Sequence, residues 1–142
     1  MKYFGLLLIA IFFFACSRDK KEMNVEITQA GNFYKQSEMA ALMLLMFEKN
    51  EQNKNLILAG NTPIKFPAEF LGIHTAKLTD STDRTDDFKT FSNVYIKSMK
   101  QVFGADQDSL IFKHNAAINS CIACHQTTCV GPIPKIKKLL IR

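Results

Sequence analysis

Large apolar side chains recur in this sequence at steps of three and four residues, and that spacing limits what the chain can become. Phe88, Phe91, Tyr95, Met99 and Val102 form one such stripe, with Asp86 and Asp87 at its start. Residues so spaced lie on one face of an α-helix, and carboxylates suit its N-terminal end. An earlier segment, "SEMAALMLLMFEKNEQNK", carries Met39, Leu42, Met43, Met46 and Phe47 on one face, with Ser37 as a natural N-cap. In "FPAEFLGIHTAKL", Pro67 takes a first helical position and Phe70, Ile73, His74 and Leu78 share a side. A last pattern runs from about Asp108 to His125, with Ile111, His114, Ile118, Cys121 and His125 expected inward.

The breaks between these patterns are equally plain. Gly60 and Pro63 punctuate the first connection, residues 79–85 are polar, and Gly104 is a C-terminal stop. "VGPIP" after the last pattern contains Gly131, Pro132 and Pro134, which oppose a continuing helix. No substantial segment alternates apolar and polar residues, and tryptophan is absent. Three long helical patterns and one shorter one predict an all-α antiparallel four-helix bundle, with the motif "CIACH" in its C-terminal helix.

The N-terminus reads as an export signal. Lys2 precedes an apolar run from Phe4 to Ala15 that ends on a small residue. The run is shorter than the ~20 apolar residues of a membrane-spanning helix. Cys16, directly after Ala15, resembles the acylated cysteine of bacterial lipoproteins, although Phe13 stands where that signal prefers leucine. An ordinary cleaved signal is the alternative. The expected organisation is a signal over 1–15, a tether over 16–30 that includes the charged "SRDKKEMN", and a four-helix domain over 31–142, which holds "CIACH", with a basic C-terminal tail. The expected location is the periplasmic side of a bacterial membrane, with Cys16 as lipid anchor.

Charge is modestly positive, with 18 Lys and Arg against 13 Asp and Glu, but it is unevenly placed. From Ser109 to Arg142 there is no Asp or Glu and there are five Lys or Arg. Nucleic acid is an unpromising partner for an exported chain. The basic end suits anionic lipid head groups, haem propionates or an acidic redox partner, or is simply a solvated tail.

"NSCIACHQTTC" concentrates the chemistry. Structural zinc favours two separated ligand pairs, whereas these candidates lie together and His74 and His114 would have to be recruited singly. Thioredoxin-type chemistry places its cysteine pair in a βαβ setting. A disulfide between Cys121 and Cys124 suits an oxidising compartment but leaves His125 without a role. Covalent haem attachment uses all three residues. On a helix Cys121 and His125 are one turn apart on one face with Cys124 beside them, so two thioethers and an iron-ligating imidazole approach haem from the same side.

No methionine follows His125, so a second axial ligand must come from upstream. His114 lies on the same helix, roughly 16 Å along the axis from His125, and cannot reach the opposite haem face. It reads as a polar group on a partly buried face. Met43 or Met46 is the preferred distal ligand, with Met39 on the same face, the others serving as packing. Met23 and Met99 are weaker candidates, and His74 is the main alternative that is not a methionine.

A helical bundle with "CIACH" at residues 121–125 in its last helix resembles the class II c-type cytochromes, the cytochrome c-prime and c-556 group. The resemblance implies that Cys121 and Cys124 carry one haem c, that His125 is the proximal ligand, and that low-spin members use a first-helix methionine. High-spin members leave that position open to gas ligands, and dimerisation through the first helices is known in the group. This chain departs from the pattern in its extension "QTTCVGPIPKIKKLLIR" and in its lipoprotein-like start.

The expected function is therefore a membrane-tethered monohaem single-electron carrier that is not an enzyme. No phosphate loop, carboxylate pair or nucleophile–base constellation suggests otherwise. One alternative is a five-coordinate haem protein binding nitric oxide or carbon monoxide. Another is a haem-free lipoprotein adaptor with a disulfide or zinc at Cys121 to Cys129. Cys129 has no assigned role.

Overall fold

The computed structural model describes residues 36–142. The expected signal segment, the Cys16 anchor, the tether and Met23 lie outside the described residues. The described chain is all-helical and contains no strand. Helix α1 spans Glu38–Leu58, α2 spans Asp86–Val102 and α3 spans Gln107–Thr127. A 3₁₀ helix covers Ala68–His74, a 3₁₀ turn covers Ser81–Asp83, and after α3 come a one-turn helix α4, Ile133–Ile136, and a 3₁₀ turn, Lys137–Leu139. No helix among the described residues is long and apolar enough to cross a membrane.

Each long helix starts where a short polar side chain can satisfy free N–H groups. Ser37 accepts from the Ala40 amide at 3.1 Å, Thr85 from Phe88 at 3.2 Å, and Asp106 from Ser109 at 2.9 Å. Such caps are worth about 1 kcal/mol each. The end of α1 is a Schellman turn: the Asn61 amide donates to the Leu56 carbonyl and the Gly60 amide to that of Ile57. Gly60 sits at φ +76°, a conformation that favours a residue without Cβ.

Segment 67–78 corrects the expected second α-helix. Its regular part is 3₁₀, with Pro67 as the residue before it rather than in its first turn. Phe70, Ile73 and Ala76 fall at steps of three, the period of a 3₁₀ helix, and Phe70 and Ile73 are buried in the core. With Pro67 before it and Gly72 inside it, a short α-helix here would have been marginal. Arg84 pins the end of the segment by donating to the carbonyls of His74, at 2.7 Å, and Ala76.

Helices α2 and α3 form the densest packing pair, joined by residues 103–106. The predicted α2 stripe is correct: Phe88, Tyr95, Met99 and Val102 are buried. The inward face of α3 is rotated from the expected one. Ile111 is 46% exposed, while Leu110, His114, Ala117 and Ile118 are fully buried. Helix α3 is covered on two sides, by α2 and by the segment that follows it, so its buried face is broader than one stripe.

That following segment is no solvated tail. Residues 132–142 form a strap whose Ile136, Leu139 and Ile141 are buried. His114 Nε2 donates to the Leu139 carbonyl at 2.9 Å. Asn115 donates to the Ile141 carbonyl at 2.8 Å and accepts from its amide at 2.9 Å. From α1, Lys54 Nζ donates to the carbonyls of Lys138 at 2.7 Å and Leu140 at 3.1 Å. The strap thus ties the first helix to the third.

His114 makes this junction sensitive to pH. Nε2 carries the proton given to Leu139, while buried Nδ1 has no partner among the described residues. Burial, opposed by the Leu139 hydrogen bond and reinforced by the Lys54 charge, holds the pKa of His114 below the ordinary histidine value of 6.5. The unfolded chain then binds more protons than the folded one, so stability is complete above the unfolded value and falls as pH drops below it. The expected slope is at most about 1.4 kcal/mol per pH unit. Urea unfolding between pH 7.5 and 5.5 measures it. His114→Gln, which keeps an N–H for Leu139, is expected to flatten that slope. Asp80, Asp86 and Asp106 have carboxyl pKa values lowered by their hydrogen bonds and contribute only at more acidic pH.

Candidate cofactor site

Between α1 and the α2–α3 pair the backbones approach at few points, and the space between them is a cavity of about 420 Å³. This lies within the ~300–1,000 Å³ range of small-molecule and cofactor sites. Helix α3 contributes Cys121, Cys124 and His125 to its lining, and α1 contributes Met39, Met43 and Met46. Two segments some eighty positions apart in sequence therefore meet across one predominantly apolar space. The cavity brings the residues of "CIACH" and the predicted methionine cluster together.

The α1 contribution follows from one register. Met39, Met43, Met46, Asn50, Asn53 and Ile57 succeed each other at steps of four and three, so they lie along a single side of the helix. Met39 and Met46 are buried, while Met43 is partly buried and packs against the core. Met99, a weaker candidate, is fully buried in the core and does not border the cavity.

His74, the alternative distal ligand, is not brought to the site. It is exposed at the end of the 3₁₀ helix, with Nδ1 3.5 Å from Ser92 Oγ. Its neighbour Ile73 faces the cavity instead, because the three-residue period turns 70 and 73 inward and 74 out. His114 is likewise remote in role, being engaged with the strap at Leu139.

His125 sits in the last turn of α3, where the chain folds back over it. The Cys129 amide donates to the His125 carbonyl at 3.2 Å, and His125 Nδ1 lies 2.8 Å from the Cys129 carbonyl. A carbonyl oxygen only accepts, so Nδ1 is the donor, and the neutral tautomer that fits this contact has its lone pair on Nε2. Metal-binding histidines are commonly oriented by such a bond from the other ring nitrogen to a carbonyl. The unexplained "QTTC" thus has a structural task, carried by the backbone of residue 129 rather than its thiol.

Cys121, Cys124 and Cys129 are free thiols. Burial pushes the Cys121 thiol far above the ordinary range, with neighbouring Cys124 adding to the effect, and burial also raises Cys124. Thiols held protonated in this way are poor nucleophiles as they stand. No group of three or more His, Cys, Asp or Glu side chains converges to hold a metal ion among the described residues. Haem makes a different demand: two thiols on one helix, one imidazole nitrogen and an apolar enclosure. The residues present fit that group.

Sequence reasoning missed two parts of the cavity. The first is Asn50 with Tyr95. Asn50 Nδ2 donates to the Met46 carbonyl at 2.7 Å and to the Tyr95 hydroxyl at 3.0 Å. Both amide protons are thereby committed, and Oδ1, buried, has no partner among the described residues. Burial raises the Tyr95 pKa well above 10, so the phenol remains neutral. The signal was a polar residue on the methionine stripe. The second part is the strap, whose Pro132, Lys135, Ile136 and Leu139 wall the cavity. Lys135 Nζ stands 4.5 Å from the centre of the Phe47 ring, a cation–π contact that ties the strap to α1.

Comparison with protein-family models, curated proteins and solved structures finds no match for this chain.

Proposed function

We propose that this protein is a monohaem c-type cytochrome, a single-electron carrier tethered to the periplasmic side of a bacterial membrane through Cys16. The observation that carries the reading is the shared cavity, with Cys121, Cys124 and His125 on one wall and Met39, Met43 and Met46 on another. Cys121 and Cys124 would hold haem c covalently, and His125 would ligate its iron through Nε2. Met43 or Met46 would supply the second axial ligand. When bound, the haem supplies one-electron chemistry. The chain's own residues bind and orient it: the apolar lining excludes water, and the Cys129 carbonyl holds the His125 ring. A carrier of this kind converts no substrate.

The architecture proposed for this reading is a variant antiparallel four-helix bundle in which the Ala68–His74 segment takes the second-helix position. A homodimer and an acidic redox partner belong to the same proposal.

The absorption spectrum of the exported, purified protein is the test. The expected result is a covalent haem spectrum with a methionine–iron charge-transfer band. Met46→Ala and Met43→Ala, made separately, identify the ligand. One variant is expected to lose the band and bind carbon monoxide, and the other to retain the spectrum. A purified exported protein without covalent haem overturns the reading.

Asn50 and Tyr95 favour a second reading. The unpartnered Asn50 oxygen and the Tyr95 hydroxyl give a mostly apolar cavity unspent hydrogen-bonding capacity. A five-coordinate haem protein that takes nitric oxide or carbon monoxide would use such groups for its ligand. A wild-type spectrum that lacks the methionine band and shifts with carbon monoxide selects this reading.

A further inference from the structure

The strap that closes the cavity is also the most one-sidedly charged part of the described chain. Lys135, Lys137, Lys138 and Arg142 are all exposed, and none is in an ion pair among the described residues. No Asp or Glu occurs from Ser109 to Arg142. With Lys54, Leu58 and Leu140, three of these cations border an open groove of about 570 Å³ on the outer side of the strap, which no acidic side chain lines. The inner side is the cavity wall, through Pro132, Lys135, Ile136 and Leu139. One layer of polypeptide therefore separates a cationic outer surface from the thiols and imidazole of "CIACH".

We infer that the strap of residues 132–142 is the docking surface for an acidic protein partner, placed so that the partner abuts the wall of the Cys121–Cys124–His125 cavity. The inference rests on the electron-carrier reading for its purpose, and on the charge and position of the strap for its location. Interspersed cations without local carboxylates raise the encounter rate of an anionic partner and set its orientation. An anionic membrane offers the same charge, but binding at a lipid interface also draws on apolar side chains that insert. The strap's Ile136, Leu139 and Ile141 are turned inward and buried, which leaves little to insert. Lys54 is committed to the Lys138 and Leu140 carbonyls, so it stiffens the surface.

The test uses the full-length haem-loaded protein and the triple variant Lys137→Glu, Lys138→Glu, Arg142→Glu, which changes the three strap cations that border the outer groove. A control with the same charge change on α2 carries Lys89→Glu, Lys97→Glu and Lys100→Glu. Fluorescent polyglutamate is the binding probe. Hexacyanoferrate(III), which takes one electron from the reduced protein, is the kinetic probe. At low ionic strength the strap variant is expected to lose at least ~10-fold in both readouts relative to the control, and high salt is expected to erase the difference. Equal losses in strap variant and control, or no loss in either, overturn the inference. So does strap-dependent binding to phosphatidylglycerol vesicles with no binding of polyglutamate, which would make this a membrane contact. A protein without covalent haem sinks the carrier reading, while polyglutamate binding still reports on the strap.

Discussion

Replacing Cys121 and Cys124 together by alanine is expected to remove all haem that survives denaturing extraction from the exported protein. Haem staining of the denatured chain checks this directly. Each single replacement leaves one attachment point and is expected to give a reduced yield with an altered spectrum. The structural cost is small, because each change removes one sulfur from a cavity wall rather than a packed methylene cluster. Stability of the haem-free chain should fall by on the order of 1 kcal/mol per site. The pairing of a large loss of haem with a small loss of stability separates attachment from folding. His125→Ala should differ in kind: both thiols remain, so covalent haem persists while its spectrum changes. An adaptor held by a disulfide predicts no haem in any of these proteins. For such a protein, loss of the cysteine pair would appear as a large change in stability instead.

Removal of residues 130–142 is the second large effect, and it concerns the fold. Ile136, Leu139 and Ile141 leave the core, at about 1.5–3 kcal/mol for each fully buried aliphatic side chain. The truncation also strips buried His114 Nε2 of its acceptor and Asn115 of both its backbone partners. The combined loss is on the order of 5 kcal/mol, comparable to the whole stability of many small domains. Thermal melting followed by circular dichroism is expected to show an early, broadened transition or none. A basic tail dangling in solvent would leave the melt unchanged.

These two effects also mark where the sequence was readable. The α3 placement of "CIACH", the α2 stripe and the N-cap Ser37 follow from local patterns, and local patterns survive without knowledge of the fold. The methionine face of α1 was legible because a helix repeats its neighbours every three or four residues. Segment 67–78 was misread because Phe70, Ile73, His74 and Leu78 suit an α-helical period. The rival three-residue period, Phe70, Ile73 and Ala76, is present in the same residues. His74 moved from candidate ligand to surface residue on that difference alone. The rotation of α3 away from Ile111 had another cause, since a helix covered on two sides does not show a single apolar stripe. The strap was opaque for a similar reason. Its apolar residues occupy a run too short for periodicity and alternate with lysines that suggest solvent, while the groups that bury them lie on α1 and α3.

The strap has a consequence for the order in which the domain can be completed. Its cavity wall, Pro132 to Leu139, follows Cys121, Cys124 and His125 in the chain. A chain emerging from its N-terminus therefore presents α1, α2 and the thiols of α3 before it presents the segment that covers them. Until then the cavity lacks the wall supplied by Pro132, Lys135, Ile136 and Leu139. Lys54 and His114 then receive the strap through hydrogen bonds to its backbone carbonyls, which do not depend on the side chains that follow. Closure of the cavity is thus a matter of chain order: its strap wall follows the residues that it covers.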